Sequence, residues 1–228
     1  MRVWDSELLT QKGELQPVTD GLLFWLDGRD ELYGDSAYSG ESPTLYKTAH
    51  MFERVNGIRV NFKDSNNLGV RSDSPFVQIK YKTGGTYDGI YFRFATAISG
   101  VVTVEFVLNK PTSTNVNEGV VSTAGSIFYP HAKGYNCAEL KGTSAITGKP
   151  VHIVCTRVLP YTATIFQNGV VASTTRGAQT SVETFTTSFQ SVMAEHTLGC
   201  LRLYNRALSA DEIAQNLAYE VSIGRVVL

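Results

Sequence analysis

The sequence has little that points to a metal centre, a membrane anchor or a nucleic-acid partner. Its 228 residues include three cysteines, none in a C-x-x-C arrangement, so a zinc site is not indicated. Lys and Arg total 20 against 21 Asp and Glu, and this balance lacks the basic surface that binds nucleic acid. No uninterrupted apolar stretch is long enough to span a membrane. We predict no nucleic-acid partner and no membrane insertion.

A secretion leader and a disulfide framework are also not indicated. Residues 1–9 carry Asp5 and Glu7, where a leader needs a basic start followed by an apolar run. Three cysteines cannot all pair within one chain. Cys155 and Cys200 fall in predicted strands, where a buried, reduced thiol packs as a small hydrophobic side chain. We expect both thiols to be reduced.

What the sequence does contain is a succession of short strand-like segments. Runs rich in Val, Ile, Thr, Phe and Tyr alternate with clusters of Gly, Asn, Asp, Ser and Pro, a pattern typical of an antiparallel sandwich or barrel. The predicted strands are 21–27, 57–62, 76–81, 89–96, 101–108, 119–128, 151–159, 162–167, 170–174 and 197–204. The chain length suits one large all-β domain or two small ones, and we expect one.

Alternation in segment 101–108 separates two faces of a strand. Val102, Val104, Phe106 and Leu108 share the face that we expect in the core, and Glu105 lies on the other face. An isolated acid there is predicted to be solvated. Further along, Asn168-Gly169 separates two strand-like runs and favours a type I′ hairpin turn.

One segment has the signals of a helix start. Ser209 is the predicted N-cap, and Glu212 three residues later completes a capping box. Leu208 and Ile213 are placed to form a hydrophobic staple across the cap. We predict a short helix to about residue 218 that packs against the sandwich.

Two stretches depart from the strand pattern. Residues 1–20 have weak periodicity, and the sequence leaves open whether they form an N-terminal arm or an extra edge strand. Residues 21–228 form the predicted sandwich domain. Within it, residues 29–50 are rich in Gly, Ser, Asp and Tyr, which predicts a long functional loop.

Four motifs in order resemble the laminin-G-like or concanavalin A-like jelly rolls of bacterial surface proteins and tailed-phage structural proteins. These are GLLFWLD at 21–27, VVTVEFVL at 101–108, PVHIVCTR at 150–157 with ATIFQNGVV at 163–171, and LRLYNRALSADEI at 201–213. The resemblance implies an all-β, antiparallel two-sheet jelly-roll sandwich with one short C-terminal helix. Two positions depart from the family pattern: Val151 stands where an aromatic is common, and Gly199-Cys200 where an acid is common.

Relatives with this jelly roll include glycoside hydrolases, which use a pair of carboxylates. No E-x-D-x-x-E pattern occurs, and Glu105 has no partner acid in its strand. No G-x-S-x-G motif is present either. We predict that the chain is not an enzyme, and a hydrolase or lyase is the least favoured alternative. His152 matches a family position and is expected to make a structural hydrogen bond.

Metal binding is the weaker of two ligand hypotheses. Some relatives bind calcium with loop acids, and Asp27, Asp30 and Asp35 are the candidates here. They lack the dense oxygen pattern of a dedicated calcium loop. The prediction is therefore no cofactor, with calcium as the alternative.

Sugar binding is the second ligand hypothesis, since it uses exposed aromatic faces together with polar side chains. The candidates are Tyr33, Tyr38, Tyr129, His131 and Tyr135. Tyrosines can equally plug the ends of a sandwich, and both interpretations are open at this stage.

The resemblance and the missing catalytic groups together predict a tailed-phage virion protein assembled in the host cytoplasm. It would act in the head decoration, fibre or tail, by adhesion to the host surface or by packing. Its partners would be other virion proteins, further copies of itself or a host surface glycan. A lectin-like module on a cell surface is the alternative, because fold alone does not fix function.

Overall fold

The computed structural model describes residues 15–64, 68–81, 90–94, 97–109, 121–122, 127–131, 134–137, 140–141, 149–158, 162–176, 183–185 and 196–228. The elements in chain order are β1 (Leu22–Asp27), β2 (Tyr33–Ala37), β3 (Tyr46–Phe52), β4 (Arg59–Asp64), β5 (Leu68–Asp73), β6 (Phe76–Tyr81), β7 (Ile90–Phe94), β8 (Ile98–Val101), β9 (Thr103–Asn109), β10 (Val121–Ser122), β11 (Ile127–His131), β12 (Gly134–Cys137), β13 (Leu140–Lys141), β14 (Val151–Val158), β15 (Thr162–Gln167), β16 (Val170–Arg176), β17 (Glu183–Phe185), β18 (His196–Tyr204) and α1 (Ala210–Ser222).

The strands form an antiparallel β-sandwich, as predicted. The main hydrogen-bonded order is β16-β15-β14-β9-β18-β6-β5-β3-β4-β7, with β1 on β18 and β2 on β3. We call β1, β18, β9, β14, β15 and β16 the first layer, and β2 to β7 the second layer. Strands β10 to β13 form a separate four-stranded sheet, and β8 pairs with β17.

The main hydrophobic core lies between the two layers. It includes Phe24, Phe106 and Leu203 of the first layer and Met51 and Phe62 of the second. The predicted alternation in segment 101–108 is confirmed for Val104, Phe106 and Leu108, which are all buried in this core. Burial of such side chains contributes about 1.5–3 kcal/mol each.

The C-terminal helix covers the opposite face of the first layer. Ser209 caps it, and the Glu212 side chain returns the hydrogen bond, so the predicted capping box is confirmed. Leu208 and Ile213 pack in one cluster with Tyr204. The helix runs four residues beyond the predicted end, to Ser222. In the part of the chain that the structure describes, no helix is both long and apolar enough to cross a membrane.

The N-terminal residues that the structure describes also pack on this helix. Val18 N–H donates to Asn216 Oδ1 (2.7 Å), and Gln215 Nε2 donates to the Gln16 carbonyl (3.0 Å). Residues 1–14, the greater part of the predicted arm, lie outside the described residues. The segment from Leu15 is therefore held against the helix rather than projecting from it.

The hairpin is confirmed, whereas two other expectations need correction. Asn168 and Gly169 both have positive φ (48° and 76°) and join β15 to β16. Residues 29–50 are not one long loop, because β2 and most of β3 lie within them. Cys200 is free and buried, but Cys155 is disulfide-bonded, since the fold brings together residues that sequence spacing cannot relate.

Candidate functional site

Two polar clusters stand out, one buried beneath α1 and one open to solvent. In the first, Glu105 lies on the face of β9 that points away from the main core. Its exposed fraction is 0%, so the prediction of a solvated acid is wrong. The reason is that α1, which is distant in sequence, packs over this face. A strand-local pattern cannot reveal such a cover.

The four partners of Glu105 come from three different elements. His152 Nε2 on β14 donates to Oε1 (2.8 Å), which confirms the expected hydrogen bond of this histidine. Arg202 Nη1 on β18 donates to the same oxygen (2.7 Å). Tyr204 and Asn216 donate to Oε2 (3.0 and 2.7 Å). The carboxylate is thus fully satisfied inside the protein.

The buried cluster continues as a chain of alternating charges. Arg202 also donates to Glu220 of α1, and Glu220 accepts from Arg225 Nη1 (2.9 Å). Arg225 reaches Asp27 at the end of β1. A Cβ at Gly199 would lie 2.9 Å from Arg225 Cδ, so the glycine leaves room for this arginine. The network ties the helix and the C-terminal segment to the first layer.

This network has an electrostatic consequence for Glu105. Burial alone would raise the pKa of Glu105, but Arg202 and the hydrogen bonds from His152 and Tyr204 lower it to about 2. A carboxyl whose pKa is lowered on folding stabilises the native state above its ordinary pKa of 4.5, and this contribution is lost as the pH falls towards 2. The cluster therefore supports stability rather than proton transfer near neutral pH.

We expect the Glu105→Gln variant to lose part of the acid sensitivity of the wild type. Each pKa unit corresponds to about 1.4 kcal/mol, so protonation of Glu105 removes about 3 kcal/mol between pH 4.5 and 2. Urea unfolding at several pH values measures the slope of the free energy of unfolding. The wild-type slope should be steeper than that of Glu105→Gln, and equal slopes would contradict the assigned pKa.

The second cluster lies on the outer face of the second layer, where no helix covers the described strands. We call Tyr33, Asp35, His50, Phe52 and Arg59 the aromatic patch. Antiparallel pairing of β2, β3 and β4 assembles it, with Tyr33 opposite His50 and Phe52 opposite Arg59. His50 and Phe52 alternate along β3 with Ala49 and Met51, which belong to the core.

The rings of the patch contact one another, and those of Tyr33 and Phe52 are exposed. Tyr33 stacks on His50 with centroids 5.2 Å apart and planes at 16°. Phe52 is nearly perpendicular to Tyr33 (74°) and to His50 (90°). Tyr33 is 40% and Phe52 46% exposed, and they are the large aromatic side chains left exposed among those described. Exposed aromatic surface of this kind is typical of a ligand site.

Polar groups flank the rings on one side. Asp35 Oδ1 lies 3.0 Å from His50 Nδ1, and Arg59 Nη2 lies 3.4 Å from Asp35 Oδ2 and 3.1 Å from the same histidine nitrogen. The Tyr33 hydroxyl donates to Glu31, and this hydrogen bond, together with the Glu31 charge, raises the pKa of Tyr33. The patch offers carboxylate acceptors and guanidinium donors beside aromatic faces.

The structure divides the predicted sugar-binding residues among three places. Tyr33 belongs to the aromatic patch, while Tyr38 is half-buried and its N–H donates to the Leu45 carbonyl (2.9 Å). Tyr129, His131 and Tyr135 lie on β11 and β12 of the separate sheet, and their side chains lie outside the described residues. Tyr33 and these three residues therefore do not share a sheet.

A different tyrosine of the same region has a packing role. Tyr46 packs against the main core, and a Cβ at Gly34 would lie 1.9 Å from its ring. Tyr46 is thus a packing residue, while sugar binding by Tyr33 stays a prediction. His50, Phe52 and Arg59 were not predicted as site residues, although the alternation of His50 and Phe52 with Ala49 and Met51 indicated an outward-facing pair on one strand.

The calcium candidates are all paired with arginines. Asp27 is fully buried and bonded to Arg29, Arg54 and Arg225, while Asp30 is bonded to Arg54 (2.7 Å). Asp35 lies in the aromatic patch. Among the described residues, no three His, Cys, Asp or Glu side chains are grouped to hold a metal. Calcium binding by these acids stays a prediction, and at Asp27 it would require displacing guanidinium groups.

Comparisons with known proteins show a similar fold in solved structures but no matching family. No protein-family model matches the sequence, and no curated protein matches it. A Trypanosoma rangeli sialidase in complex with a 2,3-difluoro-nononic acid is similar with a TM-score of 0.59 and 11% identity, over 91% of this chain and 34% of the sialidase. The same sialidase with sialic acid gives a TM-score of 0.54 and 13% identity, over 95% and 36% of the two chains.

A toxin domain is similar to the same extent. The receptor-binding domain of botulinum neurotoxin C/D mosaic serotype has a TM-score of 0.53 and 10% identity, over 90% of this chain and 52% of that domain. The chain thus spans about a third of the sialidase and about half of the toxin domain. At these identities the likeness shows the β-sandwich fold alone.

Proposed function

We propose that this chain is a non-enzymatic carbohydrate-binding β-sandwich whose ligand site is the aromatic patch. The observation that carries the proposal is the exposure of Tyr33 and Phe52 beside Asp35 and Arg59. Apolar faces of sugar rings stack on exposed aromatic rings, and sugar hydroxyls bond to carboxylate and guanidinium groups. The patch combines both kinds of group on an open sheet face.

The electrostatics of the patch favour an uncharged ligand surface rich in hydroxyls. Asp35 and Glu31 accept hydrogen bonds, whereas Arg59 donates them and balances one of the two carboxylates. A purely apolar partner would remove these groups from water without offering them new hydrogen bonds, which is unfavourable. A sugar satisfies them and covers the rings at the same time.

The absence of catalysis is part of the proposal. Glu105, the isolated acid of β9, has no exposed surface, and both of its oxygens are bonded within the protein. A general acid must reach its substrate directly or through one water molecule. Glu105 cannot do so without removal of α1.

The fold comparisons support the proposal only in a general way. One similar protein is described with sialic acid bound, and another is described as a receptor-binding domain. Both descriptions concern those proteins, and neither identifies a ligand for this chain. They are compatible with a binding role for the sandwich.

The setting of this binding is a separate prediction. We predict a virion component of a tailed phage that uses the patch to adhere to a host glycan. This prediction rests on the resemblance of the motifs and in particular of segment 201–213. Mass spectrometry of purified particles encoded by the same genome would test it. Absence of the chain from such particles would leave the cell-surface lectin setting.

A glycan array tests the proposed function. We expect the wild-type chain to bind a limited set of glycans, and Phe52→Ala to lose that signal because it removes an exposed ring. Val171→Ala is the control, since Val171 is also exposed but lies in the first layer. A wild-type chain that binds no glycan, or a Phe52→Ala chain that binds like the wild type, would contradict the proposal.

A further inference from the structure

We infer that the aromatic patch holds one sugar ring, or a disaccharide at most, of a soluble glycan, and does not bind the flat face of a crystalline polysaccharide. This inference rests on the proposed function and specifies the class of ligand. It follows from the arrangement of the three rings and from the position of their polar neighbours.

The rings do not form a plane. Tyr33 and His50 are nearly parallel, at 16°, while Phe52 stands at 74° and 90° to them. A flat polysaccharide face needs coplanar rings, because each ring must contact the same surface. In this patch, a sugar that stacks on the plane of Tyr33 or His50 would contact Phe52 at its side. The rings thus form a corner rather than a platform.

The aromatic surface is also short. All three ring centroids lie within 5.9 Å of one another, about the width of a single pyranose ring. Each ring already uses part of its surface on its neighbours, since stacked and edge-on pairs contact one another directly. Successive units of a long chain would therefore find no further ring to stack on within the patch.

The polar groups are confined to the same small area. Asp35 and Arg59 both lie within 3.5 Å of each other and of His50. Asp35 is 38% and Arg59 45% exposed, so each has surface left for a ligand. A sugar in the corner would bond with its hydroxyls to these two side chains. A second unit could contact only the edge of the cluster.

A chain-length series tests the inference. The probes are gluco-, manno-, galacto- and N-acetylglucosamine oligosaccharides of one to six units, measured by calorimetry, together with microcrystalline cellulose and chitin in a depletion assay. We expect the affinity of each series that binds to level off by the disaccharide. The crystalline polymers should not remove the chain from solution through the aromatic patch, so the wild type and Phe52→Ala should be depleted equally.

The outcomes separate the two proposals. A rise in affinity of more than about tenfold from the disaccharide to the hexasaccharide would overturn the inference and leave the proposed function intact. Binding to cellulose or chitin that is lost in Phe52→Ala but kept in Val171→Ala would also overturn the inference and leave the proposed function intact. Failure of every probe, with a glycan array that is also blank, would overturn both.

Discussion

The Arg202→Met variant is expected to lose about 3–5 kcal/mol of unfolding free energy, because it breaks a buried ion pair and leaves charges without a partner. Arg202 is fully buried and donates to both Glu105 and Glu220. Methionine fills similar space but neutralises neither carboxylate. For a domain of this size the loss corresponds to a fall in Tm of about 10 °C. Thermal and urea unfolding measure it.

A surface ion pair provides the control for this prediction. Asp20 bonds to Arg206 (2.8 Å), but the Asp20 side chain is 84% exposed. Asp20→Asn should therefore change the stability by less than about 1 kcal/mol. The double variant Glu105→Gln/Arg202→Met should be less destabilised than the sum of the two single variants, since it removes both charges of the pair. An Arg202→Met chain as stable as Asp20→Asn would contradict the role of the network.

The Tyr33→Ala/Phe52→Ala variant is expected to lose at least about 100-fold in affinity for any glycan that the wild type binds. Aromatic hot spots contribute about 2 kcal/mol or more each, and 1.4 kcal/mol corresponds to a factor of ten. Both side chains are exposed, so the fold should be retained. Calorimetry gives the affinity, and thermal unfolding checks the fold.

A matched pair of apolar truncations controls for a general surface effect. Val170→Ala/Val171→Ala removes two exposed side chains from β16, in the other layer. It should bind as the wild type does. If both double variants lose affinity equally, or if neither does, the aromatic patch is not the binding site.

Elements governed by local chemistry could be predicted from the sequence. Ser209 and Glu212 specify the helix start within one turn, and Asn168-Gly169 specifies the hairpin because both residues accept positive φ. Strand 76–81 was predicted with the bounds that the structure has. In each case the residues that decide the structure lie next to one another in the chain.

The environment of Glu105 could not be predicted in this way. Alternation in β9 separates Glu105 from the core face, but it does not show what covers the other face. The cover is α1, whose Asn216 is 111 positions away and bonds to the same carboxylate. A long-range contact of this kind turned an expected surface acid into the centre of a buried network.

The candidate site was predicted in part. Tyr33 was identified as an exposed aromatic, but its partners are brought to it by pairing of β2 with β3 and of β3 with β4. The small residues Gly34 and Ser36 and the irregular register beside them hide β2 in the sequence. Phe52 and Arg59 therefore could not be linked to Tyr33 before the strands were seen to pair.

The most direct test of the central claim is a map of where a glycan binds. Titration of the isotopically labelled chain with an array-positive glycan, followed by NMR, should shift the ring signals of Tyr33, His50 and Phe52 first and most strongly. Signals of the buried ring of Trp25 should stay unchanged. Shifts centred instead on Tyr129 and Tyr135, with the patch signals unmoved, would contradict the account.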